Sequence, residues 1–421
     1  MQEKKKILVT VESIDVDDSS GTKGRVALIK NMAKAGYDVT VLHYTQKEMT
    51  IDGVLCISVK ENRFSRHFLL SRVQRYIHRW FKYNIGVRQE RKHGFSYTWI
   101  NDAKTIAKAV NRYDPNEFAM LWTFGKGNSF RMHAGVLKTP KWHSKWYAYV
   151  HDPYPQQLYP RPYNYVPEGY KKKRYFFREM TQVARWVVFP SLLLKEWMQS
   201  YFVAIEGKSL IIPHQIATVS QTGATVPSYF SSSKFTLLHA GNLLDLRDPT
   251  PLVQAFNNFC DLHPEAIKES SLIFIGKPSI FHTYLQSAIK ENPAIYTSDD
   301  YVPFDQVYQM QQETTVNVIL EATSEMSPFL PGKFAHCVAA DKPILLIGPY
   351  YSESKRVLGE TYPYIFEFKQ VDVLTEAIGT LYKVWKAGVT SRLNRPDLVE
   401  YLSVPYLKEA FEQSMTESTT K

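Results

Sequence analysis

Short apolar runs of strand length recur along this 421-residue chain, closed by glycine, proline or a polar residue and separated by stretches long enough for a helix. The first unit sets the pattern. Lys6 leads into ILVTV, the polar stretch DVDDSSGTKG follows, and the next segment places Val26, Ile29, Met32 and Ala33 on one helical face before VTVLHY opens a second strand. A strand, a glycine-bearing loop (Gly21, Gly24), a helix and a second strand in the same direction make a β-α-β unit, the start of a parallel sheet. The loop lacks GxGxxG spacing, which argues against a dehydrogenase. Asp15 and Asp17 have the form of a metal-binding DxD, but with Asp18, Ser19 and Ser20 behind them they read as a solvated loop, and no metal is expected.

The same alternation continues through FAMLWTFG (Phe118 to Gly125), WYAYV ending at Val150, WVVFPS and SLIIP (Ser209 to Pro213), with helices expected over Trp99 to Val110 and Tyr170 to Ala184. The stretch Thr218 to Ser233 is rich in Ser, Thr, Gly and Pro and reads as a hinge. A second series then runs FTLLHAG (Phe235 to Gly241), a helix Pro249 to Cys260, SLIFIG, a helix around Phe281 to Lys290, VNVILEA, and SPFLPGKFAHCVAADKPILLIGP (Ser327 to Pro349). The expectation is two α/β parallel-sheet domains facing a cleft, 1–217 and 218–400. A final helix in 401–421, with Tyr406, Leu407, Ala410 and Phe411 on one face, should return to the first domain. Hydrophobic residues at 44% and aromatics at 14% supply two cores, and only Ser414 to Lys421 reads as disordered.

Basic MQEKKK is followed by only about five apolar residues before Glu12, too few for a signal peptide, and no run of ~18 apolar residues occurs to span a membrane. Cys56, Cys260 and Cys337 are scattered without a CxxC, so buried free thiols in a reducing, cytoplasmic setting are expected. The net charge of +10 is unevenly spread. No acid lies between Glu61 and Glu90, where Arg63, Arg66, Arg72, Arg75, Arg79, Lys82 and Arg88 fall, interleaved with Phe64, Phe68, Leu69, Val73, Tyr76, Ile77, Trp80 and Phe81 at helical steps. A helix over Arg63 to Lys82 with one aromatic and one cationic face suits an anionic membrane surface; it equally suits a helix packed on its own domain with solvated arginines. No nucleic-acid recognition spacing accompanies the charge.

Two positions stand out as chemistry. A Pro-Gly pair precedes Lys333 at the mouth of a short helix from Phe334 to Ala340, followed by a strand from Pro343 to Ile347. Free N–H groups, the helix dipole and the lysine charge there favour an anion such as a diphosphate. The strand ending at Val150 puts His151 and Asp152 at a carboxyl edge, where ligands of open α/β sheets bind, and the prolines of HDPYP stop the strand.

The order of these segments resembles the GT-B glycosyltransferases of the large retaining family 4, group 1 type. LLHAGNLLDLRDPTPLVQAF, LIFIG, VNVILEA and PGKFAHCVAADKPIL resemble its carboxyl domain, and HDPYP, WVVFPS and LIIPH its acceptor side, so the likeness covers most of the chain. The resemblance implies two Rossmann-like domains, a nucleotide-sugar donor, and an Arg and Lys pair on its diphosphate, here Arg247 and Lys333, with His151 facing the donor sugar. Donor contacts are further expected at Gly21, Gly241, Asn242, Val302, Ser327, Pro331, Gly332 and His336, and acceptor or loop positions at Asp152 and Tyr154. Many members carry two glutamates separated by seven intervening residues around this loop, the second on the ribose; here those places hold Pro328 and His336, and Asp341 stands where glycine is common. The shorter proline-glycine-lysine version resembles sugar transferases of surface polysaccharide pathways.

The implied activity is retaining, metal-independent sugar transfer to a glycan or lipid-linked glycan, with no cofactor beyond the donor and a peripheral station at the inner face of the cell membrane. Two fixed cations can stabilise the charge that develops on a leaving diphosphate. A sugar-nucleotide epimerase or hydrolase, or a catalytically silent GT-B partner subunit, would share the architecture.

Overall fold

The computed structural model describes residues 4–216, 224–298 and 301–417. Two compact units divide the chain: Met1–Tyr159, Tyr163–Gln215 and Leu402–Lys421 form one, Pro160–Pro162 and Ile216–Tyr401 the other. The expected divisions after 217 and 400 fall close to these limits. Inclusion of Pro160–Pro162 in the second unit was not legible in the sequence; there Arg161 offers its carbonyl to the Glu325 N–H at 3.1 Å. Part of the expected hinge, 218–223, lies outside the described residues.

In the first unit the strands are β1 (Lys6–Val11), β2 (Asp38–His43), β3 (Leu55–Ser58), β4 (Met120–Phe124), β5 (Trp146–Tyr149), β6 (Trp186–Phe189) and β7 (Ser209–Ile211). They form one sheet in the order β3-β2-β1-β4-β5-β6-β7, every pair parallel. The unbroken apolar runs are explained by this topology, because helices cover both faces of such a sheet and leave no side for water. Trp122, Trp146, Tyr147 and Phe124 are among the largest fully buried side chains. The first helix begins earlier than its loop composition suggested, at Ser20. Ser19 caps it by accepting from the Thr22 N–H, so Gly21 and Gly24 lie in its first turns rather than in a loop.

The second unit holds β8 (Phe235–Ala240), β9 (Ser270–Ile275), β10 (Ile295–Thr297), β11 (Val316–Leu320), β13 (Ile344–Ile347) and β15 (Ile365–Phe366), in the order β10-β9-β8-β11-β13-β15, again all parallel. Two short strands, β12 (Met326–Ser327) and β14 (Tyr351–Ser352), pair outside it. The helix after Lys333 runs Phe334–Ala339.

The carboxyl-terminal helix Val404–Thr416 belongs to the first unit and joins its core through Leu407 and Phe411, both fully buried. The Phe411 ring lies 5.0 Å from Trp122 and 5.6 Å from Tyr37. The expected disorder from Ser414 is corrected. Ser414 is buried, its hydroxyl pairs with that of Tyr147 at 3.0 Å, and its carbonyl accepts from Trp186 Nε1 at 3.0 Å. A polar tail looks disordered in composition, but here buried Tyr147 and Trp186 bond Ser414 and the helix runs to Thr416, while 418–421 of that expected tail lie outside the described residues. Phe411→Ala should therefore destabilise the first unit by about 3–5 kcal/mol, the range for emptying a core aromatic site. Chemical denaturation would check this; a loss under about 1 kcal/mol would mean the helix is peripheral to the core.

Candidate functional site

Chain order reverses between β8 and β11 in the second sheet, and the carboxyl ends of strands at such a reversal are where open α/β sheets bind ligands. The charged residues gather there. His239 is a polar residue in the buried strand FTLLHA and is fully buried. Its Nδ1 lies 3.2 Å from the Val318 carbonyl and its Nε2 lies 3.2 Å from Lys333 Nζ. With Nδ1–H donated to the carbonyl, Nε2 keeps a lone pair and accepts from the lysine. Burial, then the Lys333 and Arg247 charges, hold His239 well below its usual 6.5, so it stays a neutral acceptor.

Lys333 is half-buried rather than fully exposed as its loop position suggested. Burial first, and the like charge of Arg247 second, push its amine down to about 7. Arg247 donates through Nη1 to the Asn242 carbonyl at 3.1 Å, and the Asn242 side chain accepts from the Lys277 N–H at 2.9 Å. Close approach of these loops depends on two glycines. Gly241 has φ +154° and Gly276 φ +121°; a Cβ on the first would sit 2.6 Å from Lys333 Nζ, and one on the second 2.8 Å from the Gly241 carbonyl carbon. The sequence thus brings Gly241, Asn242, Arg247 and Lys333 to one edge. The helix behind Lys333 has six residues, and its first N–H is bonded to the Pro331 carbonyl at 2.8 Å. Attraction for an anion therefore rests on the two side-chain cations rather than on a helix dipole.

Glu321, just past β11, escaped the sequence reading although it ends an apolar run. It is 3% exposed; Oε1 accepts from Ser354 Oγ at 2.6 Å, Oε2 has no hydrogen-bond partner among the described residues, and the Ser352 and Ser327 hydroxyls lie beside the carboxyl and favour its charged form. Burial pushes this acid up to about 7, against the lowering effect of the serines. Ser327 and Ser352 face each other across β12 and β14, so one carboxyl ties together the loops that follow β11 and β13. A side chain on Gly348 would meet Glu321 Oε2 at 2.5 Å. Ser327, expected on the donor, spends its hydroxyl on this internal tie.

The remaining expected donor contacts divide by surroundings. Gly332 is exposed, with open space where a Cβ would stand. Val302 packs against the cluster containing Leu238 and Met310. His336 lies edge-on to Phe304 at 5.2 Å and Tyr308 at 5.8 Å, an aromatic setting in place of the carboxylate the resemblance implies there.

In the first unit His151 and Asp152 follow β5, with His151 Nε2 3.2 Å from Asp152 Oδ2. Burial draws His151 below its usual range while Asp152 opposes the shift. The Tyr159 hydroxyl also bonds Asp152. Tyr154 lies in the loop after β5, as one of its two expected readings had it, but its side chain is 2% exposed with the ring 4.3 Å from Phe130, so it packs in the core. Gly21 leaves room for Arg25, whose Nη1 would lie 3.2 Å from a Cβ there. A buried network beside them was missed. Glu12 forms an ion pair with Arg131, Oε2 to Nε 3.0 Å, and accepts from the Lys126 N–H at 2.9 Å, while Arg131 donates Nε–H to Ser129 Oγ and also reaches Asp102 at 2.7 Å. The only sequence signal for it was Glu12 directly after the first apolar run.

No family model matches the sequence, and no curated protein matches it by sequence. Solved structures do match in fold. A glycosyltransferase from Rickettsia africae aligns with a TM-score of 0.61 at 12% identity, over 99% of this chain and 100% of that one. TarM aligns at 0.65 and 10%, over 99% of each chain. An alpha,alpha-trehalose-phosphate synthase (UDP-forming) from Burkholderia xenovorans, in complex with glucose-6-phosphate, aligns at 0.60 and 10%, over 98% and 100%. The chain has the GT-B fold of these structures.

The raised acid generates a stability prediction. A carboxyl at about 7 when folded, against 4.5 unfolded, stabilises the fold fully below 4.5, progressively less as pH rises, and not at all above about 7. Thermal melts of wild type should fall relative to Glu321→Gln between about pH 5 and about pH 8, because glutamine cannot ionise. Parallel curves for the two proteins would contradict the assignment.

Proposed function

We propose that this chain is a retaining, metal-independent glycosyltransferase that moves a sugar from a nucleotide-sugar donor to a glycan or lipid-linked glycan acceptor in surface polysaccharide or glycoconjugate assembly, working peripherally at the inner face of the cell membrane. The observation that carries the reading is the convergence of Arg247 and Lys333 on the glycine-lined carboxyl edge of the second sheet, with Lys333 held by a neutral His239. Like charges brought together and partly desolvated raise the energy of the unliganded protein, and a diphosphate relieves both costs at once. The fold neighbours support the class of substrate: one is a UDP-forming synthase holding a sugar phosphate.

In the proposed reaction the anomeric carbon–oxygen bond to the diphosphate breaks as a bond to the acceptor hydroxyl forms on the same face. The acceptor proton passes to the departing phosphate oxygen. Arg247 and Lys333 bind the charge that grows on that diphosphate, which lowers the barrier because the interaction strengthens towards the transition state. His239 fixes the amine without competing for charge. His151, oriented by Asp152, is the candidate to face the sugar as it becomes oxocarbenium-like.

Lys333→Ala should lower transfer on the order of a hundredfold or more while leaving the fold intact, since it removes a destabilised charge rather than a core side chain. Arg247→Ala should act alike. The double variant should fall well short of the multiplied losses, because both cations serve one leaving group. Initial rates with a panel of nucleotide-sugars would test this; a Lys333→Ala rate within about threefold of wild type would remove the lysine from the chemistry.

A second test uses the depressed amine. With Lys333 at about 7 when empty, a bound nucleoside diphosphate raises that value and draws in a proton. Affinity for UDP or another accepted diphosphate should weaken as pH rises from about 7 to about 9, by up to tenfold per unit. Calorimetry in buffers of different ionisation enthalpy reads the uptake directly. Heats independent of buffer would contradict the coupling.

A further inference from the structure

The first unit carries a surface that the sugar chemistry does not use. Helix Arg66–Phe81 is capped by Ser65 and packs on its own unit through Phe68 and Ser71. The aromatic side was open in the sequence between core and surface; the structure places it outside. Leu69, Val73, Tyr76 and Trp80 recur at helical spacing on one stripe, and all four are exposed, Trp80 to 75%. Phe64, just before the helix, is 96% exposed, and Phe81 at its end 78%. Arg72, Arg75 and Arg79 form a second exposed row beside this stripe rather than opposite it. Large apolar groups on a water-soluble surface mark a binding face when they are contiguous.

The charge continues onto neighbouring elements. Helix Ile85–His93 follows in sequence and exposes Arg88, Arg91 and Lys92, and the helix beginning at Tyr170 exposes Lys171, Lys172 and Arg174. The two meet where Arg91 pairs with Glu168 at 2.8 Å and Lys173 lies 3.6 Å from Glu90. The acids at this border are thus already engaged, and the outward face is left cationic.

We propose that this face docks on the anionic surface of a phospholipid bilayer, the Leu69, Val73, Tyr76 and Trp80 stripe entering the headgroup region while the arginines beside it engage lipid phosphates. This deepens the acceptor reading above by naming the surface that holds the protein near a lipid-linked substrate. An amphipathic helix lying in the interface needs this arrangement: rings and aliphatics that can leave water, flanked by cations that match the headgroups. None of the described helices is long and apolar enough to cross a membrane, so the contact is lateral. A second copy of the chain fits less well, because a twofold contact would oppose the same unbalanced cations. A nucleic acid would meet the arginines but leave Leu69 and Val73 without a partner.

The test is sedimentation of the whole protein with vesicles of phosphatidylcholine alone or mixed with phosphatidylglycerol, without donor or acceptor, so that it stands apart from the transfer assay. Binding should require the anionic lipid and weaken severalfold as salt rises from about 0.01 to about 0.15 M, where the Debye length contracts from about 30 to about 8 Å. Each cation near such a surface is worth roughly fivefold in partitioning, so Arg72, Arg75 and Arg79 changed together to Gln should lower binding by tenfold or more. Trp80→Ser, at an exposed site that leaves the fold in place, should lower binding at unchanged charge. Melting curves confirm that each variant is folded. Wild type that ignores anionic vesicles overturns the proposal. So does a folded Trp80→Ser that binds as wild type, or self-association in solution that Trp80→Ser abolishes while vesicles go unbound.

Discussion

A lysine amine held against a neutral histidine, with an arginine charge close by, is the arrangement on which the rest of the second unit depends. Lys333 and Arg247 raise each other's energy, and water is partly excluded from the amine. Such a pair is stable only if the scaffold leaves it no alternative position. His239 supplies that restraint from inside a fully buried strand, anchored in turn by the Val318 carbonyl of the adjacent strand. Positive-φ backbone at Gly241 and Gly276 supplies the space, since a methyl at either would collide with the amine or with the neighbouring loop. The sheet thus holds the cations in advance, which is what electrostatic stabilisation of a leaving group requires.

Glu321 extends the same logic to the loops. One buried carboxyl, bonded to Ser354 and flanked by the Ser352 and Ser327 hydroxyls, sits between β11 and the turn that carries Lys333. A buried acid is costly unless its oxygens are paired or it takes up a proton. Here both happen: hydroxyls approach it, and burial still lifts its titration to about 7. The loop that presents Lys333 is therefore bound to the sheet by a polar hub rather than by apolar packing.

The strands and their parallel order were legible because doubly covered strands are apolar throughout, and glycine or proline marks where each ends. LLHAG, LIFIG and VNVILEA could be placed for that reason, while Lys333 was singled out by its Pro-Gly turn and Arg247 only by the family resemblance. What could not be read depends on long-range partners. Nothing in LLHAG distinguishes a histidine that merely fits a core from one whose Nε2 meets a lysine 94 residues later. Tyr154 sat in an aromatic, proline-rich segment that looked like a loop lining, yet its ring is enclosed by Phe130 and Phe177. Composition also failed at Ser414, whose burial depends on Tyr147 and Trp186. Even the helical periodicity of Arg63 to Lys82 predicted amphipathicity without saying which face was turned outward.

Departures from ordinary packing fall where the order of the strands reverses in each sheet. In the first sheet, ordered about β1 and β4, the residues just past those strands include buried Glu12 and the backbone N–H of Lys126 that it accepts. In the second, the residues past β8 and β11 include the loop bearing Arg247 and the buried Glu321. Strand ends at a reversal diverge, leaving a gap that apolar side chains from adjacent helices do not fill. Polar groups can occupy that gap only if they bond one another or await a ligand. The first sheet largely takes the former course, with Arg131 shared between Glu12 and Asp102. The second brings the like charges of Arg247 and Lys333 close together, and that repulsion is the physical reason the proposed function gives the anionic part of its substrate to this edge.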